Sequence, residues 1–129
     1  LGDSYDFSFS GLKTAVLRLV QKHENQVLPV ADICASFQAA VVDVLVGKAM
    51  RAAEETGATT LALAGGVAAN RSLRERMKSE AEHRNWQCFV PPLDLCTDNA
   101  AMIGGLAYDP YNEGVRSPLD LRATSRLPL

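Results

Sequence analysis

LALAGGVAAN, residues 61–70, is the stretch on which the fold class turns. Thr59 to Ala64 is a short, nearly all-apolar run closed by Gly65 and Gly66, the pattern of a strand buried on both faces of a parallel sheet. After it, Asn70 to Arg84 has helical spacing, with Leu73, Met77 and Ala81 on one stripe and charges elsewhere. Gln87 to Val90 reads as the next strand, stopped by Pro91 and Pro92, and Ala100 to Tyr108 as a helix of small residues that could pack closely. Strand, glycine loop, helix, strand, loop and helix make a βαβα unit, whose strands should run parallel with a right-handed crossover. The fold class is α/β.

Upstream, Tyr5, Phe7 and Phe9 alternate with Asp6, Ser8 and Ser10, which predicts a short strand with three aromatics on one face. Ser10 is then expected to cap a helix whose stripe is Leu12, Ala15, Val16, Leu19 and Val20, ending near Asn25. Pro29 suits the first turn of a second, long helix with Ile33, Phe37, Ala40, Val41, Val44 and Leu45 inward and Gly57 as its stop. Its far side carries Asp43, Lys48, Arg51, Glu54 and Glu55. Residues 109–129 are polar and proline-bearing and are expected to form an irregular tail.

Composition prunes the function classes. A chain of 129 residues with 47% hydrophobic and 22% charged content is an ordinary globular domain with one core. The net charge of −2 gives no long-range pull on nucleic acid, so any RNA contact must be local. Cys34, Cys88 and Cys96 form no CxxC pair, which argues against a disulfide framework or a zinc knuckle. No apolar stretch approaches the ~18 residues of a membrane span, so no membrane association and a cytoplasmic location are expected. The chain opens on Leu1 and reads as part of a longer protein.

Ligands of such sheets bind beyond the carboxyl ends of the strands, and two segments fall there. Gly65 and Gly66 would let backbone N–H groups approach a flat or anionic ligand, and Asn70 opens the next helix; the alternative is a tight turn in which Asn70 is only a cap. In Cys96-Thr97-Asp98-Asn99, Asp98 could hold a hard cation or a ribose hydroxyl, or it could be one of several adjacent caps. Lys13, in YDFSFSGLKT, could meet a phosphate or simply face water. Arg71, Arg74, Arg76, Lys78 and Arg84 could touch RNA phosphates, but Glu75, Glu80 and Glu82 dilute them into a solvated face of i, i+4 pairs. His23-Glu24 begins like a zinc-protease motif, yet Val27 stands where the second histidine belongs. There is no GxSxG elbow and no P-loop, and His83 sits among charges.

Taken together, four blocks resemble consecutive signatures of the TsaD/Gcp/YgjD family: FSFSGLKTAV (7–16), DICASFQAAVVDVL (32–45), LAGGVAANRSLR (63–74) and PPLDLCTDNAAMIG (91–104). The ending LRATSRLPL resembles that family's C-terminus, with Leu127 in place of an expected tryptophan. The resemblance implies that residues 1–129 are the C-terminal nucleotide-binding lobe of a two-lobed, actin-like ASKHA (ribonuclease H-like) enzyme whose N-terminal lobe is missing. It implies transfer of threonylcarbamoyl from threonylcarbamoyl-AMP to the N6 amine of the adenosine beside the anticodon in tRNA, with this lobe inactive alone. Gly65, Gly66 and Asn70 would contact the nucleotide, either threonylcarbamoyl-AMP or ATP. Asp98 would bind one divalent metal ion, iron first and zinc or magnesium otherwise, with histidines from the missing lobe. Lys13 and Arg71 would contact phosphate or tRNA, and no general base is evident. Expected partners are tRNA and, in bacteria, proteins of the TsaB and TsaE type. The rival readings are an ASKHA ATPase or kinase lobe and a non-catalytic TsaB-like interaction module.

Overall fold

The computed structural model describes residues 4–23 and 27–122. Its core is a seam between two helices. α2 (Val30–Thr56) and α3 (Arg71–His83) bring Val42, Val46 and Met50 against Leu73 and Met77. The first three recur every four residues along one helix row, and Leu73, Met77 and Ala81 do the same on the other, so the rows lie face to face over two turns. Leu61, Leu63, Trp86 and Cys88 close the cluster from the sheet side. α2 stops where expected: Gly57 takes φ 71°, and the N–H groups of Gly57 and Ala58 donate to Glu54 O at 3.4 Å and Ala53 O at 2.9 Å, the left-handed closure that glycine enters without a Cβ clash.

β1 (Thr60–Ala62) and β2 (Gln87–Phe89) are parallel, in register Thr60 to Gln87, Leu61 to Cys88 and Ala62 to Phe89, with α3 as the crossover. The βαβ reading therefore holds, with one correction. The strands are covered on one face only: Leu61 and Cys88 are half-buried, whereas Phe89 is 61% exposed. Both helices pack on the same side, and no described element covers the other.

Four further expectations change. Tyr5 to Phe9 is not a strand; α1 (Phe9–Lys22) starts within it, capped by Ser8, whose Oγ accepts from Gly11 N–H at 3.0 Å. Among the described residues no neighbouring strand offers backbone partners there, and an isolated strand cannot persist in water. Ser10 is inside the helix, its carbonyl accepting from the Thr14 hydroxyl at 3.0 Å. Pro29 is the residue before α2 rather than in its first turn. The expected tail also begins later, because α4 (Ala100–Asn112) runs through Pro110. In that last turn the missing proline N–H costs only one bond, and Gly114 at φ 83° with Val115 N–H on Pro110 O at 2.9 Å closes the end. Residues 24–26, and 123–129 with most of the LRATSRLPL ending, lie outside the described residues.

α2 also qualifies, by length and a mean hydropathy of 1.7, as a helix able to cross a membrane, against the expectation that no stretch would. Of its most apolar stretch 17% is buried, and the row Val42, Val46 and Met50 packs on Leu73 and Met77 of α3. The polar side of α2 is engaged too. Lys48 Nζ donates to Ser4 O at 2.6 Å and Asp6 O at 2.5 Å, Tyr5 hydrogen-bonds Glu55, and the Arg51 guanidinium lies 4.7 Å from the Tyr5 ring centre. Beside the apolar seam, Arg84 pairs with Glu54 at 3.0 Å and Glu80 at 2.7 Å, and Arg76 with Glu80 at 2.9 Å and Asp43 at 3.6 Å.

Two outcomes follow from this seam. Met77→Ala should lower unfolding stability by about 2–5 kcal/mol through lost contacts and a residual cavity; a denaturant midpoint near wild type would move the core elsewhere. The Arg84 and then the Arg76 hydrogen bonds hold the Glu80 carboxyl below its ordinary value of 4.5. A carboxyl depressed in the folded state stabilises above its unfolded pKa and loses that contribution as pH falls through the folded one. The melting temperature should therefore fall on acidification below about pH 4.5, and Glu80→Gln should flatten that fall.

Candidate functional site

Because β1 and β2 run parallel and adjacent, the segments leaving them emerge at one edge. After β1, Leu63 N–H donates to Phe89 O at 2.9 Å and the chain reaches Gly65 at φ 80°, ψ 174°, a region open in practice only to glycine. A Cβ at Gly65 or Gly66 would meet nothing within 4 Å. At Gly65 conformation, not crowding, demands glycine, and the space above both residues is free for another molecule. Gly66–Ala69 forms a single 3₁₀ turn, with Ala68 N–H on Gly65 O and Asn70 N–H on Val67 O, both at 3.0 Å.

Asn70 caps α3: its Oδ1 accepts from Leu73 N–H at 3.0 Å. Its Nδ2 donates to Gln38 Oε1 at 3.3 Å, and Gln38 in turn donates to Ser72 Oγ at 3.0 Å. The capping alternative is thus the one realised by the geometry. Among the described residues it leaves one Asn70 amide hydrogen without an acceptor, since a side-chain amide carries two.

After β2 the chain makes a 3₁₀ turn at Leu93–Leu95, and Cys96, 2% exposed, donates its thiol to Pro92 O at 3.4 Å. Here the cap is Asn99, whose Oδ1 accepts from Met102 N–H and whose Nδ2 donates to Thr97 O, each at 2.9 Å. Asp98 is therefore not the cap. It is exposed, and no hydrogen bond or ion pair to its carboxylate is found among the described residues. Nor do the described residues gather three or more His, Cys, Asp or Glu side chains able to hold a metal. His23 ends α1 with Nδ1 2.9 Å from Leu19 O, and His83 lies exposed at the end of α3. Asp98 could give one oxygen ligand; the residues described here do not complete a metal site.

The basic residues divide. Arg71 pairs with Glu75 at 2.8 Å, a contact that raises the guanidinium pKa, and Arg76 and Arg84 pair with Glu80; these are the i, i+4 pairs expected. Arg74 departs from the expected solvated face. It is half-buried and donates to Ala68 O at 2.9 Å, Pro91 O at 2.6 Å and Cys96 Sγ at 3.5 Å. Lys13, by contrast, joins Asn70 and Gln38 on a groove of ≈ 460 Å³ between α1 and α2, floored by Val16, Ile33 and Phe37.

Reading the sequence missed Gln38 and Arg74, though each had a signal. Gln38 stands four residues before Val42, a polar residue at the exposed head of the row 38, 42, 46, 50, one turn from where that row packs on α3. Arg74 lies one turn into α3, and side chains there lean back toward the helix N-terminus, over the glycine loop.

A family model described as TsaD, tRNA N6-adenosine threonylcarbamoyltransferase, matches residues 1–105. The chain belongs to this family. Among curated relatives named tRNA N6-adenosine threonylcarbamoyltransferase, one from Synechococcus is 53% identical over 100% of this chain and 36% of its own length. One from Thermosynechococcus vestitus is 55% identical over 97% of the chain and 36% of its own length, and one from Bacillus cereus 51% over 97% and 37%. The chain thus spans little more than a third of these relatives. The TsaD match contains both loops, Lys13 and Arg71.

Replacing Asn70 separates its bonds. Asn70→Ala should cost about 1 kcal/mol of unfolding free energy, the usual worth of an N-cap, while Asn70→Asp, which keeps the cap and loses the donor to Gln38, should stay near wild type. Equal losses in both variants, read by chemical denaturation, would transfer the stabilising role to the Gln38 contact.

Proposed function

We propose that this chain is the nucleotide-binding part of a TsaD-family enzyme that transfers a threonylcarbamoyl group from threonylcarbamoyl-AMP to the N6 amine of the adenosine beside the anticodon in tRNA. The observation that carries the reading is the pair of loops at one sheet edge, one opened by Gly65 and ended by Asn70, the other presenting Asp98 without a partner among the described residues. Relatives about half identical to the chain are named for that activity. In this reading residues 1–129 are the C-terminal lobe of an actin-like ASKHA (ribonuclease H-like) fold. The exposed outer face of the sheet and of α4, with Phe89, Ile103 and Leu106, fits a chain that packs against the remaining length of the full protein.

The chemistry sets the requirements. An exocyclic adenine amine is a weak nucleophile, because its lone pair is delocalised into the ring. The amine attacks the carbamoyl carbon, the carbon–oxygen bond to the phosphate breaks, and AMP leaves. The open backbone at Gly65 and Gly66 admits the flat nucleotide, and the free amide hydrogen of Asn70 fixes its direction, a contribution of orientation rather than proton transfer. Lys13 stands on the groove that Asn70 lines and can balance negative charge on the leaving phosphate. Arg71, exposed beside Asn70, exchanges its Glu75 partner for a phosphate of the nucleotide or of tRNA. Asp98 supplies one oxygen to a divalent cation, iron in preference to zinc or magnesium, with the other ligands from outside this chain. Such an ion would polarise the carbamoyl carbonyl. The expected setting is the cytoplasm, with tRNA as substrate and proteins of the TsaB and TsaE type as partners; this part by itself is catalytically silent.

The test uses the full-length protein. Asp98→Ala should reduce threonylcarbamoyl transfer to tRNA to background with an unchanged melting temperature, and near-normal transfer would remove Asp98 from the site. Lys13→Gln should raise KM for threonylcarbamoyl-AMP by roughly ten- to a hundredfold, the worth of a charged hydrogen bond of about 1.5–3 kcal/mol. An unchanged KM would leave Lys13 as a surface charge.

A further inference from the structure

We infer that Arg74 is a positioning residue that sets the distance between the two loops, and through it the placement of Asn70 relative to Asp98. The inference rests on the proposed site. Three observations carry it. First, the guanidinium binds both loops at once: Nη1 donates to Ala68 O in the glycine loop at 2.9 Å and to Cys96 Sγ in the second loop at 3.5 Å, and Nη2 donates to Pro91 O at the exit of β2 at 2.6 Å. One nitrogen with two hydrogens thus spans the gap. Second, its own backbone is tied to the site, since Arg74 N–H donates to Asn70 O at 3.1 Å. Third, Arg71, Arg76 and Arg84 each pair with a glutamate, whereas Arg74 makes no ion pair with a carboxylate among the described residues. Its planar fork is spent on backbone oxygens and a buried sulfur, which it orders.

The loops need such a tie. β1 and β2 are three residues each, so the last ladder bond at the site edge is Leu63 N–H to Phe89 O. Beyond it, Gly65 to Asn70 and Pro91 to Asn99 have separate local closures, each ending in its own cap. Among the described residues Arg74 is the side chain that bonds both. A lysine carries the charge on a single atom with donors in other directions, and it cannot reproduce a planar fork reaching three acceptors.

The experiment is Arg74→Lys in the full-length protein, read by amide hydrogen exchange and by steady-state kinetics. Exchange should rise together in residues 65–70 and 91–99 while α2 keeps its protection and the melting temperature holds. kcat/KM for threonylcarbamoyl-AMP should fall by about tenfold or more, as a small misplacement of reacting groups requires, with KM for tRNA unchanged. Unchanged exchange in both loops, or a loss of activity that only follows a general loss of protection through α2, would overturn the inference. Joint loosening with wild-type transfer would uphold the coupling and overturn the assignment of the reaction to these loops. Arg74→Gln, a shorter planar donor, carries the same test if the lysine variant does not fold.

Discussion

The contact of Val42, Val46 and Met50 with Leu73 and Met77 is the constraint from which the rest of the chain takes its place. Each such side chain contributes roughly 1.5–3 kcal/mol on full burial, and the backbone of both helices must be ordered against that gain. The seam fixes α3 on α2, and α3 is the crossover of the parallel pair, so the same contact fixes where β1 and β2 end. Short strands are sufficient because the helices do the holding. The Arg84, Glu80, Arg76 and Asp43 pairs lie on the solvent side of the seam, where exposed ion pairs add little individually and mainly fix the register of the two helices.

How far this was legible depended on where the deciding partner lies. The βαβ unit, the α2 stop at Gly57 and the cap at Asn70 are local: a glycine at positive φ or an asparagine before an apolar stripe states its role within a turn of itself. The stretch Tyr5 to Phe9 shows the opposite case. Its alternation is real, but a strand needs a neighbour, and Ser8 offered the helix a start two residues early. Two-sided burial of β1 was inferred from an apolar run that is apolar for reasons the described residues do not supply, since one sheet face stays open. α4 was cut short at Tyr108 because proline was weighted as a stop, although in a final turn it forfeits only a single bond.

The site divides in the same way. Gly65, Asn70 and Asp98 stood out in the sequence because their residue types are informative at a strand end. Gln38 and Arg74 did not, because their roles are long-range: Gln38 reaches 32 and 34 residues along the chain to Asn70 and Ser72, and Arg74 reaches 17 and 22 to Pro91 and Cys96. A helix of alternating arginine and glutamate looks solvated whichever of its arginines turns inward. What separates Arg74 from its neighbours is the residue four positions on, Lys78, where Arg71 and Arg76 have glutamates. An arginine denied a helical partner must find acceptors elsewhere.

The two loops also differ in how they treat their polar groups, and the difference bears on their division of labour. Asn70 is held twice, by Leu73 and by Gln38, so its direction is set before any ligand arrives. Asp98 is flanked by residues that are held, Cys96 by burial and Asn99 by its cap, but its own carboxylate is left to solvent. A carboxylate whose role was structural would be expected to accept a cap or an ion pair, and among the described residues Asp98 accepts neither. Leaving it uncommitted while fixing the backbone on either side keeps both oxygens available at a defined place. In the proposed reading, pre-set orientation suits the recognition of a neutral, directional group such as an adenine or a ribose, and an uncommitted carboxylate suits a cation with further ligands from outside this chain.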